Sequence, residues 1–171
     1  VYLQLIQKVL NEGKSSIMLV PEISLTPQTV DRFIARFGQD NIAVLHSKLS
    51  VGERYDQWYK IKSGKAKIII GARSAIFAPV NDLGIIIIDE EDSSSYKQDN
   101  NPRYNAKDIA ILRSKYHKCP VVLGSDTPSL EAFARAGNKV YKLLVLSKRP
   151  SVSNLPEVTI IDMKEEIKKG N

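Results

Sequence analysis

The sequence predicts an α/β fold, a mostly parallel central sheet with helices on both faces, and three observations carry that prediction. Short apolar runs alternate with helical patterns along most of the 171 residues. Such alternation builds βαβ units with right-handed crossovers and a doubly wound sheet. The run Ile85-Ile86-Ile87-Ile88 has no polar face, so the strand that holds it must be covered on both sides. That strand ends directly in Asp89-Glu90-Glu91-Asp92, and in open α/β sheets ligands bind outside the carboxyl ends of strands.

The elements follow in order. Residues 1–10 have the spacing of an amphipathic helix already under way, with no capping residue before it, so the sequence reads as a fragment. Strands are expected over 17–20, 42–46, 67–70, 83–89 and 121–124, and helices over 27–37, 52–61, 105–116 and 129–136. Two further apolar runs fall at 140–146 and 158–161. Between them, Ser, Pro and Asn over 147–156 mark a linker leading out of the sheet, and the mixed charges at 164–169 read as a solvated helix end. The expected division is therefore 1–146 for the folded lobe and 147–171 for the linker that leaves it.

The bulk numbers are those of one globular domain: 43% hydrophobic, nine glycines and eight prolines. A formal charge of +6 suits a phosphate-bearing partner and also suits plain solubility. Cys119 is the single cysteine and cannot form an internal disulfide; before Pro120 and an apolar run it reads as a buried structural thiol. With two histidines, His46 and His117, there is no zinc-type ligand spacing. No apolar stretch reaches the ~20 residues that span a bilayer, and the cytoplasm is the expected location.

A buried strand followed by Asp-Glu is the layout of the second nucleotide motif of P-loop ATPases, where Asp holds the magnesium of a bound nucleotide and Glu polarises the attacking water. An acidic loop that keeps a strand end in water has the same composition. The companion phosphate loop is missing. Gly13-Lys14-Ser15 has Lys8 where the first glycine belongs and precedes a strand, while Gly64-Lys65-Ala66 lacks the hydroxyl that ligates magnesium; both read as turns.

Four more segments sit at expected strand ends. In Val20-Pro21-Glu22-Ile23-Ser24-Leu25-Thr26-Pro27-Gln28, Thr26 can cap a helix with proline at its first position, and the exposed donors there suit a nucleic-acid phosphate. Gly71-Ala72-Arg73-Ser74-Ala75-Ile76-Phe77-Ala78-Pro79 offers Arg73 and Ser74, although Arg73 equally suits a surface ion pair. In Gly124-Ser125-Asp126-Thr127-Pro128-Ser129, Ser125 and Thr127 can hydrogen-bond across to the carboxylates, or Thr127 can simply cap a helix. The stretch from Ser93 to Tyr104 mixes Tyr96 and Tyr104 with Lys97 and Arg103, the chemistry of single-strand binding or of a plain surface loop.

These five motifs, in this order, closely resemble those of the primosomal replication-restart DNA helicases of superfamily 2. The matching family segments are VPEISLTPQ, GxRSAxFAP, the DEEH box, the aromatic-rich SSYKQ loop and GSATPS. The opening Val1-Tyr2-Leu3 is similar to the helix that follows the family's Gly-Lys-Thr. The resemblance implies a RecA-like P-loop NTPase lobe, the first of two, starting just after the phosphate loop. It implies 3′ to 5′ movement on DNA driven by ATP with Mg2+, zinc only in an insertion beyond these residues, and forks, single-stranded DNA, primosome proteins and single-strand-binding proteins as partners. Asp89 would hold magnesium, Glu90 would activate water, and Tyr96, Lys97 and Tyr104 would sense DNA. This stretch alone would be inactive.

Two residues depart from the pattern. Asp92 stands where the family has histidine and Asp126 where it has alanine, so two carboxylates are expected to face each other and raise a pKa or push the strand ends apart. Two other functions fit parts of the pattern. A non-hydrolysing DNA- or protein-docking module with a degenerate ATPase site needs no phosphate loop. A magnesium-dependent hydrolase working through Asp89–Asp92 needs more carboxylates at neighbouring strand ends, where only Glu22 and Asp126 are found.

Overall fold

The computed structural model describes residues 1–147 and residue 161. The linker expected after Ser147, most of the run 158–161 and the charged stretch 164–169 lie outside the described residues.

Strands β1 (Ser15–Leu19), β2 (Ile42–Leu45), β3 (Ile68–Gly71), β4 (Leu83–Ile88) and β5 (Val121–Leu123) form one five-stranded sheet. The order is β2-β3-β1-β4-β5 and every pairing is parallel. The helices are α1 (Tyr2–Asn11), α2 (Pro27–Phe37), α3 (Val51–Lys62), α4 (Ala106–His117) and α5 (Leu130–Gly137).

The isoleucine run explains the layering. Ile86 and Ile88 pack on one face with Ile61 of α3 and Ala106 and Ala110 of α4. Ile85 and Ile87 pack on the other with Ile6 and Val9 of α1 and Phe33 and Phe37 of α2. All six residues of β4 are buried, and each such isoleucine contributes about 1.5–3 kcal/mol by leaving water. A two-period side-chain alternation with apolar residues on both faces can only be satisfied by helices above and below.

Caps fix where the helices begin. Thr26 accepts from the Thr29 amide at 3.2 Å ahead of α2, and Ser50 with Glu53 forms a capping box ahead of α3. Asn105 and Ser129 cap α4 and α5. After β3, the Gly71 backbone lies so close to the Leu45 carbonyl and Ala75 that a Cβ would overlap both, which fixes the path into the next segment.

The structure adds short 3-10 turns at Glu22–Ser24, Gln39–Asn41, Arg73–Phe77 and Ser94–Tyr96. Three of them follow the carboxyl ends of β1, β3 and β4. Turns this short leave no periodicity to read. The apolar run 140–146 forms no strand, and Leu144 and Leu146 are 75% and 79% exposed. An apolar run becomes a strand only when a neighbour takes its hydrogen bonds, and none of the described strands does so. Cys119 is half-buried, not buried, packed against the core, where burial pushes its thiol up. Gly13 and Gly64 both have positive φ in turns leading into β1 and β3, at the edge of the sheet opposite the carboxylates. Lys14 and Lys65 there pair with Glu12 and Asp40.

Candidate active site

The box at the end of β4 is four carboxylates in four environments. Asp89 is half-buried; its Oδ1 accepts from the Tyr2 hydroxyl at 2.8 Å and its carbonyl accepts from the Tyr96 hydroxyl at 2.6 Å. Glu90 is exposed, has φ of 47°, and accepts from the Ser24 hydroxyl at 2.9 Å. A non-glycine residue in the left-handed region stores backbone strain, a state found at sites where a side chain has to be aimed.

Glu91 points the other way, into the protein, and is 2% exposed. Lys107 Nζ lies 2.9 Å from Oε2, and the Ser129 amide and hydroxyl donate at 2.6 and 3.0 Å. Burial alone would push its carboxyl up, but the hydrogen bonds from Lys107 and Ser129 outweigh it and hold the group below the ordinary carboxylate range. Glu91 thus ties the starts of α4 and α5 to the end of β4.

Asp92 is exposed and accepts from Ser125 at 2.5 Å and from Thr127 at 3.2 Å. The expected reach of Ser125 and Thr127 across to the box is therefore present. The expected upward shift is not seen at Asp92: the Ser125 hydrogen bond, with help from Thr127, holds its carboxyl below its usual value. Asp126 is exposed, and the Thr127 hydroxyl stands 3.4 Å from its Oδ1. One hydroxyl has one proton to give, so Thr127 can donate to only one of the two aspartates at a time.

The segment after the box is ordered by Arg73. Its Nη1 donates to the carbonyls of Ser95 at 3.3 Å and Lys97 at 2.6 Å, and its guanidinium lies 5.7 Å from the Tyr104 ring centre. Tyr104 meets Phe77 edge-on at 5.0 Å. The segment closes on itself through a Lys97–Asn105 antiparallel bridge and a Gln98 amide bond to the Tyr104 carbonyl at 2.8 Å. Through Nη1, Arg73 clamps the loop, and no ion pair to it is seen among the described residues. Tyr96 is a correction. At 1% exposure it has no face for a base to stack on, because its ring fills the core under Asp89. Lys97, Arg103 and Ser74 are exposed, Tyr104 is half-buried, and Thr26 is exposed at the start of α2.

Among the described residues no three His, Cys, Asp or Glu side chains converge as a metal cage. That donor set fits magnesium carried in with a nucleotide, which uses one or two carboxylates plus substrate phosphates, and it fits no all-protein site. Sequence reasoning missed Tyr2, Ser24, Glu91, Lys107 and Ser129. Only Ser129 left a signal, as the hydroxyl residue before an apolar helix.

Residues 1–135 match the DEAD/DEAH box helicase family, and the chain belongs to that family. With the parallel order of its strands, the lobe is RecA-like. The chain is 58% identical over 171 residues to replication restart protein PriA of Bacillus subtilis, and 52% identical over 170 residues to the protein of that name from Chlamydia trachomatis. Against PriA of a Synechocystis species it is 47% identical over 176 residues. The expected resemblance to replication-restart helicases is borne out. These alignments cover 99 or 100% of the chain and 21 or 22% of each relative, so the chain spans about a fifth of their length. No helix among the described residues is long and apolar enough to cross a membrane.

Proposed function

We propose that this chain is part of the first helicase lobe of an ATP-dependent DNA helicase that moves 3′ to 5′ and acts in replication restart with primosome and single-strand-binding proteins. The observation that supports it best is the convergence on the carboxylate box after β4 of hydroxyls from two other strand ends: Ser24, after β1, on Glu90, and Ser125 with Thr127, after β5, on Asp92. Hydrogen bonds of this kind let motion at one strand end reach the residues that act on a nucleotide.

Asp89 would hold the magnesium of ATP, and Glu90 would orient and deprotonate the attacking water. Magnesium, when bound, neutralises charge developing on the transferred phosphate. The hydroxyl of Tyr2, in the first turn of α1, reaches Asp89 and Gly124, so a phosphate loop leading into that helix would come near Asp89. Thr26, Ser74, Lys97, Arg103 and Tyr104 lie in segments that follow the carboxyl ends of β1, β3 and β4, and they would suit a nucleic-acid backbone with one stacked base. Arg73 serves by holding Tyr104 in place.

The test is Glu90→Gln in the full-length protein. The amide fills the same space and cannot take a proton, so magnesium-ATP binding should stay within about twofold while DNA-stimulated hydrolysis drops about 100-fold or more. Unchanged turnover would remove Glu90 from the role.

A further inference from the structure

Asp89 is gripped by a side chain that the mechanism above does not use. Tyr2 sits in the first turn of α1, 87 positions from Asp89 in sequence, and its hydroxyl donates to Oδ1 at 2.8 Å. The ring is partly buried against the core on the α1 side of the sheet, so it is not free to swing away. At Gly124, just past β5, a Cβ would overlap the Tyr2 hydroxyl. The Gly124 backbone cannot retreat, because its amide donates to the Ile88 carbonyl at 2.9 Å and its carbonyl accepts from the Glu91 amide at 3.0 Å. The start of α1 and the ends of β4 and β5 therefore close around one phenol oxygen.

We propose that Tyr2 is the positioning residue of Asp89, and that position 124 is glycine to leave room for its hydroxyl. This inference rests on the nucleotide site proposed above. A carboxylate can rotate about its Cβ–Cγ bond and offer either oxygen. With Oδ1 held by Tyr2 and the main-chain carbonyl held by Tyr96, that rotation is fixed and Oδ2 is the oxygen left to offer a cation. A carboxylate held ready in this way loses little freedom when the cation arrives.

The test uses the full-length protein and a fluorescent ATP analogue, titrated with magnesium and again in EDTA. In Tyr2→Phe the ring stays and the hydroxyl goes, so the magnesium needed for half-maximal binding should rise about fivefold or more, while metal-free binding changes less than about twofold and the melting temperature holds. Gly124→Ala should raise the magnesium requirement likewise by displacing the hydroxyl, and it carries the same test if Tyr2→Phe melts early. The double variant should be no worse than Gly124→Ala alone, since the same bond is lost once. An unchanged magnesium requirement in Tyr2→Phe, or equal weakening with and without magnesium, would overturn this inference alone. A wild-type protein that binds no magnesium nucleotide would overturn both it and the function proposed above.

Discussion

The two tyrosines of the aromatic segment look interchangeable in sequence and differ in the structure. Tyr96 is a core residue whose hydroxyl holds the Asp89 carbonyl, whereas Tyr104 is half-buried between Arg73 and Phe77 at the sheet edge. Tyr96→Ala should therefore lower stability by about 3–5 kcal/mol, the usual cost of emptying an aromatic core position. Tyr104→Ala should melt close to wild type yet lose most of the DNA stimulation of ATPase in the full-length protein, with basal hydrolysis kept. Thermal melts alongside ATPase assays with and without single-stranded DNA check both; an early melt for Tyr104→Ala with stimulation intact would reverse the two roles. Asp89 and Glu90 were legible in the sequence because a strand that cannot face water must end somewhere, and its first polar residues mark that place. Glu91 was not legible. Its direction depends on Lys107 and Ser129 from two helices that arrive later in the chain, and a string of four acids does not show which one turns inward.

Among the elements, α4 and α5 are tied to β4 through Glu91, and this sets an acid limit on stability. The carboxyl of Glu91 sits lower in the folded protein than in the unfolded chain. A group of that sign adds stability above its unfolded value, near pH 4.3, and the contribution is lost as pH falls toward the folded value. Glu91→Gln should cost about 3 kcal/mol at pH 7, the low end for a broken buried pair because Lys107 keeps some contact with water. The same variant should lose less than wild type between roughly pH 5 and pH 3, so the two stability curves converge on acidification. Parallel curves from urea unfolding at each pH would show that Glu91 carries no such linkage. The helices and strands themselves were readable to within one or two residues, since apolar periodicity and the Thr26 cap are local signals.

For the whole molecule, the parallel order β2-β3-β1-β4-β5 puts residues from four separate segments on one edge, around the box at β4. The alternation of strands and helices foretold that edge, and the hydrogen bonds of Ser24, Ser125 and Thr127 close it into one unit. The sequence could not show that Arg73 turns Nη1 onto the loop carbonyls, because a guanidinium finds its partner only after the chain has folded. The central claim is that a nucleotide-borne cation sits at Asp89. Iron can replace that cation: load the full-length protein with Fe2+ and ADP, start hydroxyl-radical chemistry with ascorbate and peroxide, and map the backbone cuts. The account predicts cuts at residues 88–91, with weaker ones at 124–125, all suppressed by excess magnesium-ADP. Cuts at other positions, or cuts there that excess magnesium-ADP leaves unchanged, would contradict it.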